Sequence, residues 1–384
     1  MGLNFNFATA SQIFFGRGTI SKVPELVENY GNKILLVTGK NQGRAKPLTD
    51  RLPASVQVVF FHVNAEPATT TIDQGVKLAR ENQCEAIVGF GGGSVIDSAK
   101  AIAALTPNAG ELLDYLEVIG KGKKLEEKPL PFIAIPTTAG TGAEASKNSV
   151  IYSAEHKVKV SLRSQLMFAD VAVIDPELTL SVPPEVTAIT GMDALTHLLE
   201  TFVSCQANPF IDNFSREGMQ RVSRSLLKAY ENGSNLEARE DMAYAALLGG
   251  MALANVKLGA VHGFAGPMGG MVPIPHGAVC ARLLPAVMEA NLKSAKSQNL
   301  KYIISKYDEV AQLLTGESNA RSEEGVQWAQ QMVEKLNIPS LSAFGLTPDD
   351  FPVLVEKAKK ASSMKGNPVV LSDESLMLIL EKSI

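Results

Sequence analysis

Apolar residues in the first half of the chain fall into short β-rich runs that alternate with segments of helical periodicity. Val95, Ala99 and Ile102, for example, recur at spacings of four and three, which places them on one face of a helix. This alternation is typical of a mainly parallel sheet whose strands are joined by crossover helices. The predicted strands cover residues 33–38, 56–63, 86–90, 132–136 and 171–174, and the predicted crossover helices cover 72–82 and 94–105.

The pattern changes after Pro183 and Pro184, where β-branched clusters thin out and long segments with helical periodicity follow. The predicted helices cover residues 185–204, 209–230, 237–256, 276–292, 302–314 and 322–336. We therefore predict an α/β domain over residues 1–182 and an all-helical domain over residues 183–384. The length of 384 residues also favours two domains, because single domains are usually much shorter.

Composition and charge exclude several classes of protein. Apolar residues make up 45% of the chain and charged residues 20%, as in an average globular protein and unlike a disordered chain or a coiled coil. Lys and Arg total 36 against 40 Asp and Glu, so no excess of positive charge favours nucleic acid as a partner. No apolar run approaches the roughly 18 residues of a membrane span, and no basic residue precedes the apolar positions at the N-terminus. We therefore expect neither a membrane nor a nucleic-acid partner.

The cysteines indicate the compartment. The chain has three, Cys84, Cys205 and Cys280, an odd number spread far apart along the sequence. This arrangement suits neither a disulfide framework nor a thiolate zinc site. We therefore predict a reducing compartment and a cytoplasmic location.

A glycine-rich turn follows the third predicted strand. Residues 86–90 lead directly into Gly91, Gly92, Gly93 and Ser94, where a helix begins. Glycines let the backbone turn tightly and approach a diphosphate, and the first N–H groups of the helix attract an anion. The spacing G-x-G-x-x-S matches a dinucleotide-binding fingerprint only in part, so an ordinary strand-to-helix turn stays an alternative.

A second turn of small residues spans 136–142 and also follows a predicted strand. Since the carboxyl ends of parallel strands meet at one edge of a sheet, we expect this turn to lie beside the glycine-rich turn. The hydroxyls of Thr137, Thr138 and Thr141 are suited to binding phosphate or ribose. They are equally suited to hydrogen bonds within the turn itself.

The chain has five histidines, and three of them occur in patterns that suit a metal site. Asp193 and His197 are four residues apart, so on a helix both side chains lie on one face and can bind one ion. His262 and His276 flank a segment rich in glycine and proline, which can fold back and present both rings. One carboxylate and three imidazoles suit Fe²⁺ or Zn²⁺ and disfavour Ca²⁺ and Mg²⁺. Taken alone, each histidine is also compatible with a core or surface role. We assign such a role to the remaining two histidines.

Four motifs together make the sequence resemble the iron-containing, or group III, alcohol dehydrogenase family. They are GGGSVID at 91–97, PTTAGTGAEAS at 136–146, GMDALTH at 191–197, and a late block with HG at 262–263 and PHG at 275–277. The resemblance covers the whole chain, including the order of the motifs. It implies the architecture that this family shares with dehydroquinate synthase: an α/β dinucleotide-binding domain, an all-helical metal-binding and substrate domain, and a nicotinamide dinucleotide in the cleft between them.

The resemblance also implies roles for single residues. Carried over by position, the implied metal ligands are Asp193, His197, His262 and His276. The implied cofactor-binding residues are Gly92, Gly93, Ser94, Asp97, Thr137, Thr138, Thr141 and Lys159. A homodimer is implied by the resemblance alone.

Two departures from the family pattern affect the expected chemistry. Many members have a further histidine four residues after the third ligand, proposed to relay a proton, whereas this chain has Gly266 there. Members that use NAD tend to place Asp after the first strand, where it would repel a 2′-phosphate, but this chain has Gly39 followed by Lys40. We therefore expect Gly39 to lie at the cofactor and NADP to be preferred over NAD.

The expected activity is reversible hydride transfer between a nicotinamide dinucleotide and a small alcohol or aldehyde, with the metal as a Lewis acid. We assign no catalytic residue beyond the metal ligands, and we expect ordered water or a ribose hydroxyl to carry the proton. The alternative is a metal- and NAD-dependent lyase of the dehydroquinate synthase type. Residues 259–279 contain no Lys or Arg for a charged substrate, and their apolar side chains suggest an apolar pocket. A non-catalytic metal-binding or structural protein is a third possibility, disfavoured because structural metal sites usually close all coordination positions with Cys and His.

Overall fold

The computed structural model describes residues 4–384, and these form two compact units. One unit contains residues Thr9–Thr138 and Gly142–Leu180, and the other contains residues 4–8, Ala139–Thr141 and Ser181–Ile384. The predicted α/β domain starts at residue 1, so its first three residues lie outside the described range. These units are groups of contacting residues, and the domain boundary at residue 182 stays a prediction.

The first unit contains a six-stranded parallel sheet with the strand order β1-β8-β5-β4-β2-β3. Its central strands are almost continuous apolar runs, because a parallel sheet is covered on both faces and each side chain is buried. The strands of the chain are β1 Gln12–Phe15, β2 Lys33–Gly39, β3 Gln57–Val63, β4 Ala86–Gly91, β5 Phe132–Pro136, β6 Asn148–Ser153, β7 Val158–Arg163 and β8 Val171–Ile174. The predicted parallel sheet is therefore confirmed, with all five predicted strands present.

Strand β1 and the β6–β7 hairpin of this unit were not predicted from the sequence. Strand β1 has only four residues and pairs in parallel with β8, with Gln12 opposite Val171. Strands β6 and β7 form a separate antiparallel hairpin. The helices of the unit are α1 Val23–Glu28, α2 Lys46–Thr49, α3 Thr69–Glu81, α4 Gly93–Leu105 and α5 Leu112–Tyr115. The predicted crossover helices correspond to α3 and α4.

The second unit is helical, as predicted, and its buried apolar side chains form one large core. Its helices are α6 Pro184–Val203, α7 Pro209–Glu231, α8 Leu236–Leu253, α9 Ala260–Met271, α10 His276–Ser297, α11 Lys301–Thr315, α12 Ser322–Lys335, α13 Phe351–Lys360 and α14 Asp373–Glu381. The six predicted helices correspond to α6, α7, α8, α10, α11 and α12. Helix α9 was not predicted, because its glycines and the internal Pro267 have low helix propensity.

None of the helices in residues 4–384 combines the length and the apolar character that crossing a membrane requires.

Candidate functional site

Helix α6 presents three polar side chains on one buried face. Asp193, His197 and Glu200 are separated by four and three residues, so they lie one above another along the helix. Each of these residues is at most 4% exposed. Three titratable groups at this depth require partners, because an isolated buried charge is costly.

Asp193 Oδ1 lies at the centre of the predicted histidine set. Its distance is 3.8 Å to Nε2 of His197, 3.5 Å to Nε2 of His262 and 3.7 Å to Nε2 of His276. Although buried, Asp193 Oδ1 has no hydrogen-bond partner among the described residues. The structure therefore brings the four predicted ligands together around an unpaired carboxylate oxygen, an arrangement that fits a divalent cation.

The charge states of Asp193 and His197 suit a cation. Burial opposes ionisation of Asp193, but the imidazoles of His197 and His276 hold its pKa well below the usual range. Burial lowers the pKa of His197 to about 4, although the Asp193 carboxylate opposes this shift. At neutral pH His197 is therefore neutral, the form in which imidazole donates a lone pair to a metal.

Cys280 lies in the same cluster, although it was not among the predicted ligands. Its Sγ atom is 3.6 Å from Nε2 of His262 and 3.6 Å from Nε2 of His276. One donor atom from each of Asp193, His262, His276 and Cys280 lies within 4.8 Å of the other three, a set that does not include His197. Burial raises the pKa of the Cys280 thiol to about 12. The spacing of four residues between His276 and Cys280 was the available signal, since it puts both on one face of α10.

Glu200 supports the site from behind His262. The His262 Nδ1–H group donates to Glu200 Oε2 at 2.7 Å, which leaves Nε2 to face Asp193. The other carboxylate oxygen, Oε1, accepts from the backbone N–H of Val261 at 2.7 Å, in the first turn of α9. A carboxylate there satisfies a helix N–H and interacts favourably with the helix dipole. Glu200 was missed in the sequence, although it lies three residues after His197.

Replacing Glu200 by glutamine is expected to lower the affinity for Zn²⁺ about 10- to 100-fold, because carboxylates that orient a ligating histidine have effects of this size. The amide keeps the shape of the side chain and loses the negative charge that polarises His262. Zinc affinity is measured by competition with a chromogenic chelator. Glu185→Gln, an exposed position on the same helix, is the control. Equal zinc affinity in both variants would show that Glu200 has only a packing role.

Gly266, where the family pattern implied a histidine, lies one turn after His262 on α9. A methyl group added at Gly266 would meet no heavy atom within 4 Å in the described part of the chain. The position therefore has free space around it, and glycine has no side-chain group that could carry a proton.

The glycine-rich turn connects β4 to α4 as predicted. Gly91 ends the strand, Gly92 is the residue before the helix, and the helix begins at Gly93. An added Cβ at Gly91 would lie 2.6 Å from a methyl group of Val95, so glycine there permits close packing of the helix. An added Cβ at Gly92 would lie 3.3 Å from Thr138 Oγ1. The first N–H groups of α4, from Gly93 and Ser94, lie at this carboxyl edge of the sheet.

The second turn lies beside the first. Strands β4 and β5 are neighbours, with Gly91 opposite Pro136, and the Thr137 N–H donates to the Gly91 carbonyl at 2.9 Å. Thr141 belongs to the short segment that groups with the helical unit, where Gly140 packs against Thr190. The two small-residue turns therefore meet at one sheet edge, as their sequence positions predicted.

Gly39 ends β2, which pairs with β4, so it lies at the same sheet edge as the glycine-rich turn. A methyl group at Gly39 would meet no heavy atom within 4 Å in the described residues. The position therefore has room for a larger side chain.

The other two predicted cofactor contacts have protein partners. Asp97 Oδ2 accepts from the backbone N–H of Val150 at 3.0 Å, which ties α4 to β6. Lys159 on β7 forms an ion pair with Glu66 at 2.6 Å, and its side chain is only 6% exposed. These contacts show what the two side chains do within the protein, and their predicted cofactor contacts stay predictions.

Glu144 lies two residues after the second turn and is buried, although glutamate side chains are usually exposed. It lies near Lys100, whose ammonium group donates to the carbonyl oxygens of Ala143 and Asn148 at 2.6 and 2.8 Å. Burial raises the pKa of Glu144 to about 7, although the charge of Lys100 opposes this shift. Glu144 therefore changes its charge near neutral pH.

Replacing Glu144 by glutamine is expected to stabilise the protein at pH 8 and to have little effect at pH 5. The folded protein binds the Glu144 proton more tightly than the unfolded chain, so wild-type stability falls as the pH rises from 4.5 through 7. The difference in free energy of unfolding is at most about 3 kcal/mol. Melting temperatures across this range test it, with the exposed Glu155→Gln as control. Parallel pH profiles for wild type and Glu144→Gln would contradict the prediction.

Both halves of the chain match known protein families. Residues 10–176 match the family described as iron-containing alcohol dehydrogenase, and residues 187–384 match its C-terminal counterpart, described as the Fe-containing alcohol dehydrogenase family. The chain belongs to the iron-containing alcohol dehydrogenase family. The resemblance found in the sequence and the two-part fold class are thereby confirmed.

Members of this family match the chain over nearly its full length. Alcohol dehydrogenase 4 of Saccharomyces cerevisiae is 35% identical over 378 residues, 96% of each chain. NAD-dependent methanol dehydrogenase of Bacillus methanolicus is 33% identical over 393 residues, 99% of this chain and 100% of that one. The crystal structure of a 1,3-propanediol oxidoreductase has a TM-score of 0.91 at 33% identity and covers 100% of both chains.

As an iron-containing alcohol dehydrogenase, the protein is an oxidoreductase that acts on alcohols. The lyase alternative is not favoured, since the matching families and the relatives named above are alcohol dehydrogenases and oxidoreductases.

The apolar pocket expected from residues 259–279 is formed by only part of that range. Val261, Phe264 and Met268 are fully buried in the helical core, so they serve packing. Pro275 and Ala278 contribute to an apolar cavity of about 350 Å³ beside the start of α10. Its lining includes Ala188, Ile189, Pro275, Ala278, Ile338 and Phe344.

Proposed function

We propose that this protein transfers a hydride reversibly between a nicotinamide dinucleotide, preferably NADP, and a small alcohol or the corresponding aldehyde. One divalent metal per chain, Fe²⁺ or Zn²⁺, takes part. The observation that carries the proposal is the unpaired, buried Asp193 Oδ1, which lies 3.5 to 3.8 Å from Nε2 of three histidines. A carboxylate with three imidazoles matches the donor preferences of these two metals.

The residues that would hold the metal are Asp193, His197, His262 and His276. When bound, the metal supplies Lewis acidity toward the substrate oxygen, and the dinucleotide gives or accepts the hydride. Asp193 contributes the negative charge, and Glu200 orients His262 by accepting from its Nδ1–H group. Because Gly266 provides no imidazole, we assign no protein acid or base and propose that ordered water or a ribose hydroxyl carries the proton.

For the dinucleotide, we propose that Gly92, Gly93 and Ser94 hold the diphosphate at the start of α4. Thr137, Thr138, Thr141, Asp97 and Lys159 are further proposed contacts. The absence of a carboxylate at Gly39, followed by Lys40, supports NADP because no negative charge there repels a 2′-phosphate. The Bacillus methanolicus relative is named NAD-dependent, so both dinucleotides need to be tested. A homodimer and a cytoplasmic location are also proposed.

The test combines metal analysis of the purified protein with absorbance of the reduced nicotinamide, using NADPH or NADH and small aldehydes. We expect about one metal per chain and turnover that is lost in Asp193→Ala and His276→Ala. Cofactor binding without turnover of any aldehyde or alcohol would contradict the proposal. Phosphorylated sugar acids would then be the next substrates to test, as for the lyase.

Replacing Gly39 by aspartate is expected to shift the preference from NADPH toward NADH by at least about tenfold in kcat/KM. The site has room for the side chain. A carboxylate near a 2′-phosphate is repelled by about 1 kcal/mol or more at close range. Gly39→Asn, of similar size and uncharged, is the matched control. An equal preference in both variants would show that charge at position 39 does not select the cofactor.

A further inference from the structure

Helix α9 carries His262 in its first turn, but the residue before the helix supplies no capping side chain. That residue is Gly259, which has no side-chain atom to accept a hydrogen bond. The first N–H groups of a helix have no partner within it, and many helices satisfy one of them with Ser, Thr, Asp or Asn at this position. The N–H groups at the start of α9 therefore need acceptors from other parts of the unit.

Two side chains that are distant in sequence supply these acceptors. Asn367 Oδ1 accepts from the Ala260 N–H group at 3.1 Å. Glu200 Oε1 accepts from the Val261 N–H group at 2.7 Å. A Cβ added at Gly259 would lie 2.8 Å from Glu200 Oε1 and 3.0 Å from Asn367 Oδ1, so glycine leaves the space that both acceptors occupy.

The Asn367 side chain is itself held by a buried hydrogen-bond network. Its Nδ2 group donates to Asn291 Oδ1 at 2.6 Å and to the Val369 carbonyl at 2.9 Å. Asn291 Nδ2 donates back to Asn367 Oδ1 at 3.2 Å and also donates to the Tyr307 hydroxyl at 3.0 Å. Together with the bond from Ala260, these contacts use both hydrogens of the Asn367 amide and both acceptor positions of its oxygen. The orientation of this amide is therefore fixed.

The backbone beside Asn367 connects α9 to α6. A Cβ added at Gly366 would lie 2.0 Å from the Leu258 carbonyl oxygen, so only glycine permits this close approach. The Gly366 carbonyl also accepts from the Cys205 N–H group at 3.0 Å, two residues after the end of α6. The segment that contains Asn367 therefore lies against both the start of α9 and the end of α6, the helix that carries Asp193.

Asn367 differs from Glu200 in how it can act on the metal site. Glu200 accepts from the His262 ring directly, whereas Asn367 reaches α9 through the backbone N–H of Ala260, two residues before the histidine. Backbone atoms two residues apart in one helical turn move together. Metal–ligand distances tolerate deviations of only about 0.2 Å, so a small shift of the helix start displaces His262 Nε2 from a ligating position.

We propose that Asn367 is a positioning residue of the metal site. It caps α9 from outside the helix, which fixes where the helix begins and where His262 presents Nε2 to Asp193. Asn291 orients the Asn367 amide for this role. The inference rests on the proposed metal dependence and leaves the proposed ligands unchanged.

Asn367→Ala in the full-length protein tests this role. We expect its Zn²⁺ affinity, measured by chelator competition, to fall at least about tenfold, the size of effect found for residues that orient a ligating histidine. We also expect the visible absorption of the Co²⁺-substituted protein to change, because these bands depend on coordination geometry. Asn235→Ala is the matched control, since it removes the asparagine that caps α8, a helix without proposed ligands. We expect this control to lose stability and to keep wild-type zinc affinity and cobalt absorption.

Asn291→Ala is the second variant, because it removes the partner that orients Asn367 and leaves Asn367 itself in place. We expect its zinc affinity to lie between those of the wild type and Asn367→Ala. Circular dichroism shows which variants are folded. If Asn367→Ala does not fold, Asn291→Ala decides the question by the same two measurements.

Wild-type zinc affinity and cobalt absorption in folded Asn367→Ala would overturn the inference and show that Asn367 only stabilises the fold. Equal losses of zinc affinity in Asn367→Ala and Asn235→Ala would overturn it as well, and so would unchanged affinity in folded Asn291→Ala. The proposed function would stand in each case if the wild type bound one metal and oxidised alcohols. A wild type that bound no metal and turned over no alcohol would overturn both.

Discussion

Asp193→Asn is expected to lose the bound metal and to reduce kcat/KM by at least about 10³-fold, which corresponds to roughly 4 kcal/mol. Asparagine has almost the same shape, so the packing of α6 is kept while the negative charge at the centre of the histidine set is removed. Oδ1 of Asp193 has neighbouring Nε2 atoms from three helices. Loss of the negative charge at this atom therefore affects the whole donor set. Neutral donors alone bind a divalent cation less strongly than a set that includes a carboxylate.

Metal content and reduced-nicotinamide absorbance of the same preparation measure both effects. Asp212→Asn is a matched control, because Asp212 is a buried carboxylate of the same unit that pairs with Lys306 at 2.5 Å and contacts none of the histidines. Loss of metal in both variants would indicate unfolding. Asp193→Asn protein that kept one metal per chain and full turnover would exclude Asp193 as a ligand.

Gly277→Ala is expected to lower the melting temperature by roughly 5 to 10 °C and to weaken metal binding. A Cβ at Gly277 would lie 2.4 Å from the carbonyl oxygen of Ile189, a backbone atom of α6 that cannot rotate away. Overpacking of this kind costs about 1 to 3 kcal/mol or more, and in a unit of this size each kcal/mol lowers the melting temperature by about 2 to 4 °C. Because Gly277 follows His276 directly, relief of the clash also moves a proposed ligand.

Gly266→Ala is the matched control for this prediction. It also places a methyl group on a helix of the same unit, but the described residues leave that position open. We expect it to leave the melting temperature unchanged or to raise it slightly, because alanine is favoured over glycine inside a helix by about 1 kcal/mol. Thermal unfolding and zinc competition of the two variants are compared side by side. Equal stability of both would show that α10 can shift away from α6 without cost.

Close packing at the first turn of α10 also explains why the distances between the proposed ligands are sensitive to small shifts of the helices. Proposed ligands come from three helices, with Asp193 and His197 on α6, His262 on α9 and His276 on α10. Their relative positions depend on close contacts such as that between Gly277 and Ile189. A change of a few tenths of an ångström at such a contact alters the ligand distances directly, since a packed interior transmits strain.

Local sequence pattern alone determined the parallel sheet, the long helices, the glycine-rich turn and the pair Asp193 and His197. Each depends on a short repeat, either the alternation of apolar runs with helical spacing or a separation of four residues on one helix. Residue composition also led us to expect no nucleic-acid partner, because net charge is independent of the fold. The family resemblance was visible at this level, since its motifs are contiguous.

Only the tertiary structure placed Glu200 and Cys280 beside the predicted metal ligands. Glu200 reaches His262 across 62 residues, and Cys280 reaches His262 across 18, contacts that no local pattern specifies. Packing likewise buried Glu144, a residue type that is usually exposed. Strand β1 and helix α9 form although their local signals are weak, because a partner strand and a hydrophobic core supply the stabilisation that four residues or a glycine-rich segment lack. Long-range contacts determine how deeply a titratable group is buried and which groups lie near it. Burial and neighbouring groups in turn determine its chemistry.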